Sequence, residues 1–247
     1  MKKKILFIIA THGDESFSLP VLQKLEVKYP KKQYAYDWVI GNPKALKQNI
    51  RFVEKDLNRS APGSQTSVYY EERRAYEILN IAKNYDYIFD IHGTKAFSGI
   101  VTIVSLPTLE NILLSGLLPI QNVVIWNAEQ SRVSGPLPQY MGKPSVGIEC
   151  GPKNSIETKN KLESVLIDII LNFRSNTISS GIKKLNKKTF YEVYGKLEGN
   201  RNKTDFKKYR GNGEKYFAFL GNNQYSGISC YKMRKILFSD LFLSKEN

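Results

Sequence analysis

The residues best suited to chemistry are the only two histidines of this chain, His12 and His92, which stand in two motifs of similar composition. The first motif, residues 11–15, reads Thr-His-Gly-Asp-Glu, and the second, residues 90–94, reads Asp-Ile-His-Gly-Thr. Two imidazoles and a carboxylate are ligands that a catalytic zinc takes when its fourth position stays open. The pattern therefore predicts one zinc ion per chain, held by His12, Glu15 and His92.

A single His-x-x-Glu motif is weak on its own, because a histidine can simply cap a turn. The second histidine, placed behind a matching apolar run, strengthens the metal prediction. Asp90 could orient an imidazole from outside the ligand set. Two unrelated polar turn residues remain the alternative explanation.

A second constellation lies in residues 51–59, which read Arg-Phe-Val-Glu-Lys-Asp-Leu-Asn-Arg. The adjacent amide of Asn58 and guanidinium of Arg59 suit a substrate carboxylate, which arginine grips in a bidentate way that lysine cannot match. Arg51 could polarise the carbonyl of a scissile bond. Taken singly, each arginine is more often the partner of a surface ion pair.

Glu149 closes the apolar run at residues 146–148. A carboxylate at the end of a buried strand is costly unless it is paired or catalytic. Its environment could raise its pKa toward the range useful for proton transfer. Cys150 points to the opposite face by strand alternation, so we interpret it as structural.

Apolar runs bounded by polar turns predict strands buried on both faces. These runs are residues 4–10, 36–40, 87–91, 100–104, 122–126 and 145–150. Helical patterns at residues 71–83 and 156–175 alternate with them, which indicates an α/β layered domain with a mostly parallel or mixed sheet. In such sheets sites gather at the carboxyl ends of strands. His12, His92 and Glu149 stand at or just past such ends, so we expect them to converge.

The sequence pattern changes after about residue 175. Short runs of aromatic and β-branched residues at 190–194, 216–220 and 227–232 predict a small antiparallel β region there. We therefore predict a catalytic domain at residues 1–178 and a β-rich domain at residues 179–247. The net charge is +14, and residues 181–247 hold 15 Lys and Arg against 6 Asp and Glu. This excess favours either an anionic partner or a merely solvated lysine-rich face. No nucleic-acid motif accompanies it, so we expect no nucleic-acid partner.

The composition suits a globular domain of a reducing compartment. With 247 residues, 41% of them hydrophobic, the chain can bury a sizeable core. Its two cysteines, Cys150 and Cys230, stand far apart, which argues against a disulfide framework. The apolar run at residues 5–10 is too short for a signal peptide, and no run reaches the ~18–20 residues of a membrane span. We expect a cytoplasmic protein with no membrane partner.

Taken together and in order, the motifs resemble the succinylglutamate desuccinylase/aspartoacylase family of zinc carboxypeptidase-like hydrolases. The resemblance is carried by residues 11–15, 42–43, 51–59, 70–75, 90–94 and 146–152. It implies an α/β fold, a zinc-carboxypeptidase-like three-layer domain with a mixed sheet, followed by a small C-terminal antiparallel β domain.

The resemblance also implies how the metal would be held and used. His12, Glu15 and His92 would hold the zinc and leave a water in the fourth place. Glu149 would take a proton from that water and later deliver it to the leaving amine. A bound zinc lowers the pKa of its water toward ~7 and acts as a Lewis acid.

Substrate contacts follow from the same resemblance. Arg51 would stabilise the oxyanion together with the metal, while Asn58 and Arg59 would bind a carboxylate of the substrate. Tyr225 falls near the substrate-contacting tyrosine of the family, in a part of the chain where the match is loose.

One departure from the family limits the prediction of the substrate. Aspartoacylases carry a further arginine ahead of the catalytic glutamate, where this chain has Gln139. Arg132 could replace it only if its loop folds that way. Specificity for N-acetylaspartate therefore does not follow.

The function predicted is that of a zinc-dependent deacylase acting on a small acidic N-acylated substrate, such as an N-acyl amino acid. A carboxypeptidase-type peptidase, with the same metal core, is one alternative. A non-catalytic module that binds polyanions through its basic C-terminal region is the other. The sequence leaves a homo-oligomer open.

Overall fold

The structure, a computed structural model, describes residues 3–96, 99–126, 136–173, 178–199, 203–211, 213–220 and 227–243. Its strands form one mixed sheet of ten strands. They are β1 (Ile5–Ile9), β2 (Tyr36–Ile40), β3 (Tyr87–Gly93), β4 (Gly99–Val104), β5 (Asn122–Ile125), β6 (Ser145–Gly151), β7 (Thr189–Glu198), β8 (Lys208–Gly211), β9 (Glu214–Phe219) and β10 (Ile228–Ile236). The predicted strands are all present, and the ends of the first six lie within two residues of the predicted ends.

The helices of the described residues lie mostly between these strands. They are α1 (Ser18–Lys28), α2 (Lys31–Tyr34), α3 (Pro43–Gln48), α4 (Tyr70–Ala82), α5 (Leu109–Leu117), α6 (Ile156–Asn172), α7 (Ile182–Leu185) and α8 (Asp240–Leu243), with 3₁₀ turns at Leu57–Arg59, Leu137–Tyr140 and Ile178–Gly181. No helix among them is long and apolar enough to cross a membrane. Helix α5 was not predicted from the sequence. Residues 111–117 are all buried, so their apolar side chains do not repeat along one face as they do in a surface helix.

The strand order is β2-β1-β3-β6-β4-β5-β7-β10-β9-β8. Strands β2, β1, β3 and β6 run parallel to one another, so their carboxyl ends meet at one edge of the sheet. Strand β4 runs antiparallel to β6 and therefore starts at that edge. The three strands that lead into or contain His12, His92 and Glu149 are β1, β3 and β6, and these three are neighbours.

Side chains of β1 alternate between two apolar layers, as expected for a strand buried on both faces. Ile5, Phe7 and Ile9 join a core formed with α1, α5 and α6. Leu6 and Ile8 join a second core formed with α4. The result is the predicted three-layer arrangement, with helices on both faces of the sheet.

The C-terminal strands β7 to β10 pair antiparallel, as predicted. They also continue the main sheet, because β7 lies parallel beside β5 with Asn122 opposite Thr189 and Ile125 opposite Glu192. The antiparallel region is therefore hydrogen-bonded to the layered part of the protein. The division of the chain into two domains, with a boundary between residues 178 and 179, stays a prediction.

One buried carboxylate in this C-terminal region is only half satisfied. Asp205 accepts a hydrogen bond from the backbone N–H of Leu220 at 2.6 Å through Oδ1. Its Oδ2 is buried and has no hydrogen-bond partner among the described residues. Burial raises the pKa of Asp205 to about 6, although the Leu220 N–H acts in the opposite direction.

Asp205→Asn is expected to stabilise the protein above pH 6. Between about pH 4 and 6 the folded state binds more protons at Asp205 than the unfolded state does, so the free energy of unfolding falls as pH rises. Asparagine keeps the acceptor and removes this dependence, for a gain of about 1–3 kcal/mol at pH 8. Urea unfolding at pH 5 and pH 8 measures the effect. Equal pH dependence in parent and variant would contradict it.

Candidate metal and catalytic site

His12, Glu15 and His92 converge at the carboxyl edge of the sheet, and all three are buried. One ligand atom from each lies within 4.8 Å of the other two. His12 Nδ1 is 2.8 Å from Glu15 Oε1, and His92 Nδ1 is 3.3 Å from Glu15 Oε2. The three residues predicted from sequence to hold a metal are thus brought together around one point.

Backbone geometry explains how the first motif reaches this point. After β1 ends at Ile9, Ala10 adopts a left-handed conformation with φ 49°, which redirects the chain over the sheet edge. Gly13 then lies against α3, where an added Cβ would stand 2.1 Å from the carbonyl carbon of Ala45. The N–H of Gly13 donates to the backbone oxygen of Arg51 at 3.2 Å. The glycine of this motif is therefore required by close packing.

The second nitrogen of each imidazole contacts a carboxylate. His12 Nε2 lies 3.1 Å from Asp56 Oδ1, and His92 Nε2 lies 2.9 Å from Asp90 Oδ2. The hydroxyl of Thr11 donates to the other oxygen of Asp90 at 2.7 Å. Carboxylates in this position fix the ring orientation and make the opposite nitrogen a better metal ligand. The predicted contact of Asp90 with an imidazole is present, and Asp56 is a partner that the sequence analysis did not single out.

The donor set fits a zinc ion in chemistry as well as position. Burial opposes charge on Glu15, yet the two histidines hold the pKa of Glu15 well below its usual range. Burial also opposes charge on His92, yet Asp90 and Glu15 raise the pKa of His92 well above its usual range. One carboxylate and two imidazoles placed this close together suit a divalent metal. The metal displaces the protons of the imidazoles when it binds.

Arg51 lies at the same edge of the sheet and is held there by hydrogen bonds to Asp56. Its Nε and Nη2 donate to Asp56 Oδ2 at 3.2 and 2.9 Å, and its Nη1 lies 3.9 Å from Glu15 Oε1. Burial opposes ionisation of Asp56, but His12 and Arg51 hold the pKa of Asp56 well below its usual range. Asp56 therefore contacts both the imidazole of His12 and the guanidinium of Arg51, and places the guanidinium beside the triad.

Glu71, at the start of α4, holds the loop that connects Arg51 to Asp56. It is fully buried, and its two oxygens accept hydrogen bonds from the side chain of Asn42 at 3.1 Å and from the backbone N–H groups of Val53, Glu54 and Lys55 at 2.7, 3.2 and 3.1 Å. Several donors offset the cost of burying the carboxylate. The sequence analysis noted this residue only as part of a helix, since its partners lie on a loop without regular structure.

Glu149 stands opposite His92 in the pairing of β3 with β6. Its Oε1 is buried without a hydrogen-bond partner among the described residues. Burial and the negative charge of Glu15 raise the pKa of Glu149 to about 7, while His92 acts in the opposite direction. Cys150 lies in the apolar core on the other face of the sheet, which confirms its predicted orientation.

Asn58 and Arg59 form the 3₁₀ turn that follows Asp56, and both are partly buried. Asn58 Oδ1 accepts from the backbone N–H of Leu137 at 3.1 Å. The bond to Leu137 uses only the oxygen of the Asn58 amide. A substrate carboxylate would need the other end of the amide, the Nδ2 donor. Arg59 Nη1 donates to the backbone oxygen of Asn58 at 2.6 Å. Their role toward a substrate stays a prediction.

Of the remaining residues considered for substrate binding, the structure describes Gln139 but not Tyr225 or Arg132. Gln139 lies in the 3₁₀ turn Leu137–Tyr140, and its Oε1 is buried without a partner among the described residues. Tyr225 and Arg132 lie outside the described residues. Their predicted contacts with substrate therefore stay predictions.

Sequence comparison relates most of the chain to one family. The sequence model of the succinylglutamate desuccinylase/aspartoacylase catalytic domain matches residues 2–174. A probable aspartoacylase of Prochlorococcus marinus subsp. pastoris is 30% identical over 123 residues, which are 47% of this chain and 42% of that protein. An N-acyl-aromatic-L-amino acid amidohydrolase of Xenopus laevis is 24% identical over 173 residues, 61% of this chain and 55% of that protein. The chain thus matches about half the length of these curated relatives.

Solved structures share the fold at low sequence identity. Murine aminoacylase 3 superposes with a TM-score of 0.72 at 17% identity, covering 95% of each chain. A succinylglutamate desuccinylase of Chromobacterium violaceum superposes with a TM-score of 0.69 at 13% identity, covering 95% of this chain and 85% of that one. The three-layer fold with its C-terminal strands is therefore that of these proteins.

Glu71→Gln is expected to lower the free energy of unfolding by about 1–3 kcal/mol. The amide NH₂ cannot accept the backbone N–H groups that Glu71 now satisfies, so at least one buried donor loses its partner. Urea unfolding at pH 7 measures the loss.

Glu72→Gln, one residue along the same helix, is the matched control. Glu72 is partly exposed and pairs with Lys55 at 2.6 Å, so its replacement should lower the free energy of unfolding much less than Glu71→Gln does. Equal losses in the two variants would show that Glu71 does not organise the loop.

Proposed function

The chain belongs to the succinylglutamate desuccinylase/aspartoacylase family, and on that premise we propose that it is a zinc-dependent amide hydrolase. The substrate would be an N-acyl amino acid or a similar small amide, cleaved into a carboxylate and an amine. One observation carries the proposal: the ligand atoms of His12, Glu15 and His92 lie together, with Glu149 opposite His92 on the neighbouring strand. Separate strands supply these groups, so their convergence is a property of the fold.

His12, Glu15 and His92 would hold the metal through Nδ1, a carboxylate oxygen and Nδ1. When bound, zinc would supply an acidified water and a Lewis acid for the substrate carbonyl. Glu149 would remove a proton from the attacking water and pass it to the leaving amine. A pKa of about 7 suits a group that must both accept and donate a proton near neutral pH.

Arg51 would donate through Nη1 to the carbonyl oxygen as negative charge develops there. Asp56 engages the other side of the guanidinium, which leaves this edge directed toward the triad. Preorganised donors of this kind stabilise the transition state because they need no reorientation during the reaction.

Asn58 and Arg59 would bind the carboxylate of the amino acid. The anchored Oδ1 of Asn58 directs its amide nitrogen away from Leu137, and Arg59 lies beside it in the same turn. Gln139 is neutral, so we propose a substrate class of N-acyl amino acids without assigning N-acetylaspartate. Both cysteines are free and buried, which supports a reducing, cytoplasmic setting.

Glu149→Gln should keep zinc and lose about 100- to 10,000-fold in turnover, because the amide cannot accept the proton. His92→Ala should lose zinc as well as activity, since a ligand is missing. Metal content by mass spectrometry, with turnover of a panel of N-acyl amino acids, measures both. Glu157→Gln is the control: Glu157 is exposed and pairs with Lys161 on α6, so activity and zinc should be unchanged.

Other outcomes of this experiment separate the alternatives. Near-normal hydrolysis by Glu149→Gln would contradict the mechanism. Cleavage of C-terminal residues from peptides, without deacylation, would establish a carboxypeptidase-type peptidase. A parent protein that binds no zinc but is retained on a polyanion in a salt-sensitive manner would indicate a binding module.

Arg59→Lys should raise KM about tenfold or more with a smaller change in kcat. Lysine keeps the charge but loses the planar pair of donors that matches a carboxylate. Steady-state kinetics on the best substrate of the panel measures the change. An unaltered KM would remove Arg59 from the binding site.

A further inference from the structure

Lys153, two residues beyond the end of β6, is a buried lysine that contacts both the turn of His12 and Glu15 and the end of β3. It is 5% exposed. We propose that Lys153 is a positioning residue that sets the spacing between the turn of His12 and Glu15 and the strand ends that carry His92 and Glu149. The proposal rests on the proposed function and adds a residue to which no role has been assigned.

The first contact is made by the ammonium group. Lys153 Nζ donates to the backbone oxygen of Asp14 at 2.7 Å and to Asp14 Oδ2 at 2.9 Å. Asp14 lies between His12 and Glu15 in the sequence, so this contact fixes the turn at its centre. The acceptors are one backbone and one side-chain oxygen, which define both the position and the direction of the turn.

The stem and backbone of Lys153 make the other contacts. Its N–H donates to the backbone oxygen of Thr94 at 2.8 Å. Its Cβ packs on Gly93 so closely that an added Cβ on the glycine would stand 2.8 Å away. The N–H of Gly93 in turn donates to Glu15 Oε2 at 2.8 Å. Lys153 therefore covers the peptide that holds the central carboxylate of the triad.

Burial of an ammonium group is costly, and a pair with Asp14 does not by itself make the fold more stable than apolar packing would. A site for metal and general base, however, needs its groups held to within about 0.5 Å. Lys153 joins the turn after β1 to the ends of β3 and β6 at the site itself. This placement supports a role in geometry.

A second lysine pair provides a matched control. Lys24 on α1 pairs with Glu163 on α6 at 2.8 Å. These helices follow the turn of His12 and the end of β6, so this pair links the same two parts of the chain. It lies on the surface, with the Lys24 side chain 70% exposed. Lys24→Met should leave zinc affinity and kcat unchanged.

The test is the zinc dissociation constant of the folded protein, measured by competition with a chromogenic chelator, for Lys153→Met and for Lys153→Met combined with Asp14→Asn. A positioning role predicts a rise of about 10- to 100-fold in both, together with a lower kcat. A purely electrostatic role predicts tighter zinc binding in Lys153→Met, because loss of the ammonium makes the net charge beside the site more negative. It predicts unchanged binding in the double variant, where both charges are removed.

The double variant removes both charges of the Lys153–Asp14 pair, so it can still be measured if Lys153→Met fails to fold. Dissociation constants within twofold of the parent, or tighter, in either folded variant overturn the proposal. A parent that binds zinc but hydrolyses no amide would overturn the proposed function and leave this inference standing. A parent that binds no zinc overturns both.

Discussion

The buried carboxylate of Glu15 is the group on which the rest of the site depends. It is fully excluded from water, and a charge in that position must be matched by partners from its surroundings. Those partners are His12 from the same turn, His92 at 3.3 Å and the N–H of Gly93 at 2.8 Å. Because these partners come from the turn after β1 and from the end of β3, the contacts of one carboxylate join two neighbouring strands.

A wider pattern of alternating charge surrounds this centre. Asp56 and Asp90 contact the outer nitrogens of the two imidazoles, and Arg51 neutralises Asp56. Glu71 satisfies the loop amides on one side. Lys153 covers the strand ends on another. Each of these charged groups has an ion-pair partner or hydrogen-bond donors beside it, and these contacts hold the turns and strand ends of the site together.

Much of this arrangement can be predicted from sequence, and the limits have physical reasons. Apolar runs ending in polar motifs located His12, His92 and Glu149 at one edge, because strand direction follows from the layered pattern. Asp56 and Glu71 were not assigned, since their partners depend on the fold of an irregular loop. The parallel pairing of β5 with β7 is equally invisible to local patterns, because it joins segments separated by more than sixty residues.

That pairing gives the C-terminal strands a role at the edge of the layered part of the sheet. Strand β5 presents one side to β4 and the other to β7. If β7 were removed, the N–H and C=O groups along the run Asn-Val-Val-Ile would form an open, apolar sheet edge, which is a template for aggregation. The terminal strands thus cover an apolar edge of the layered sheet.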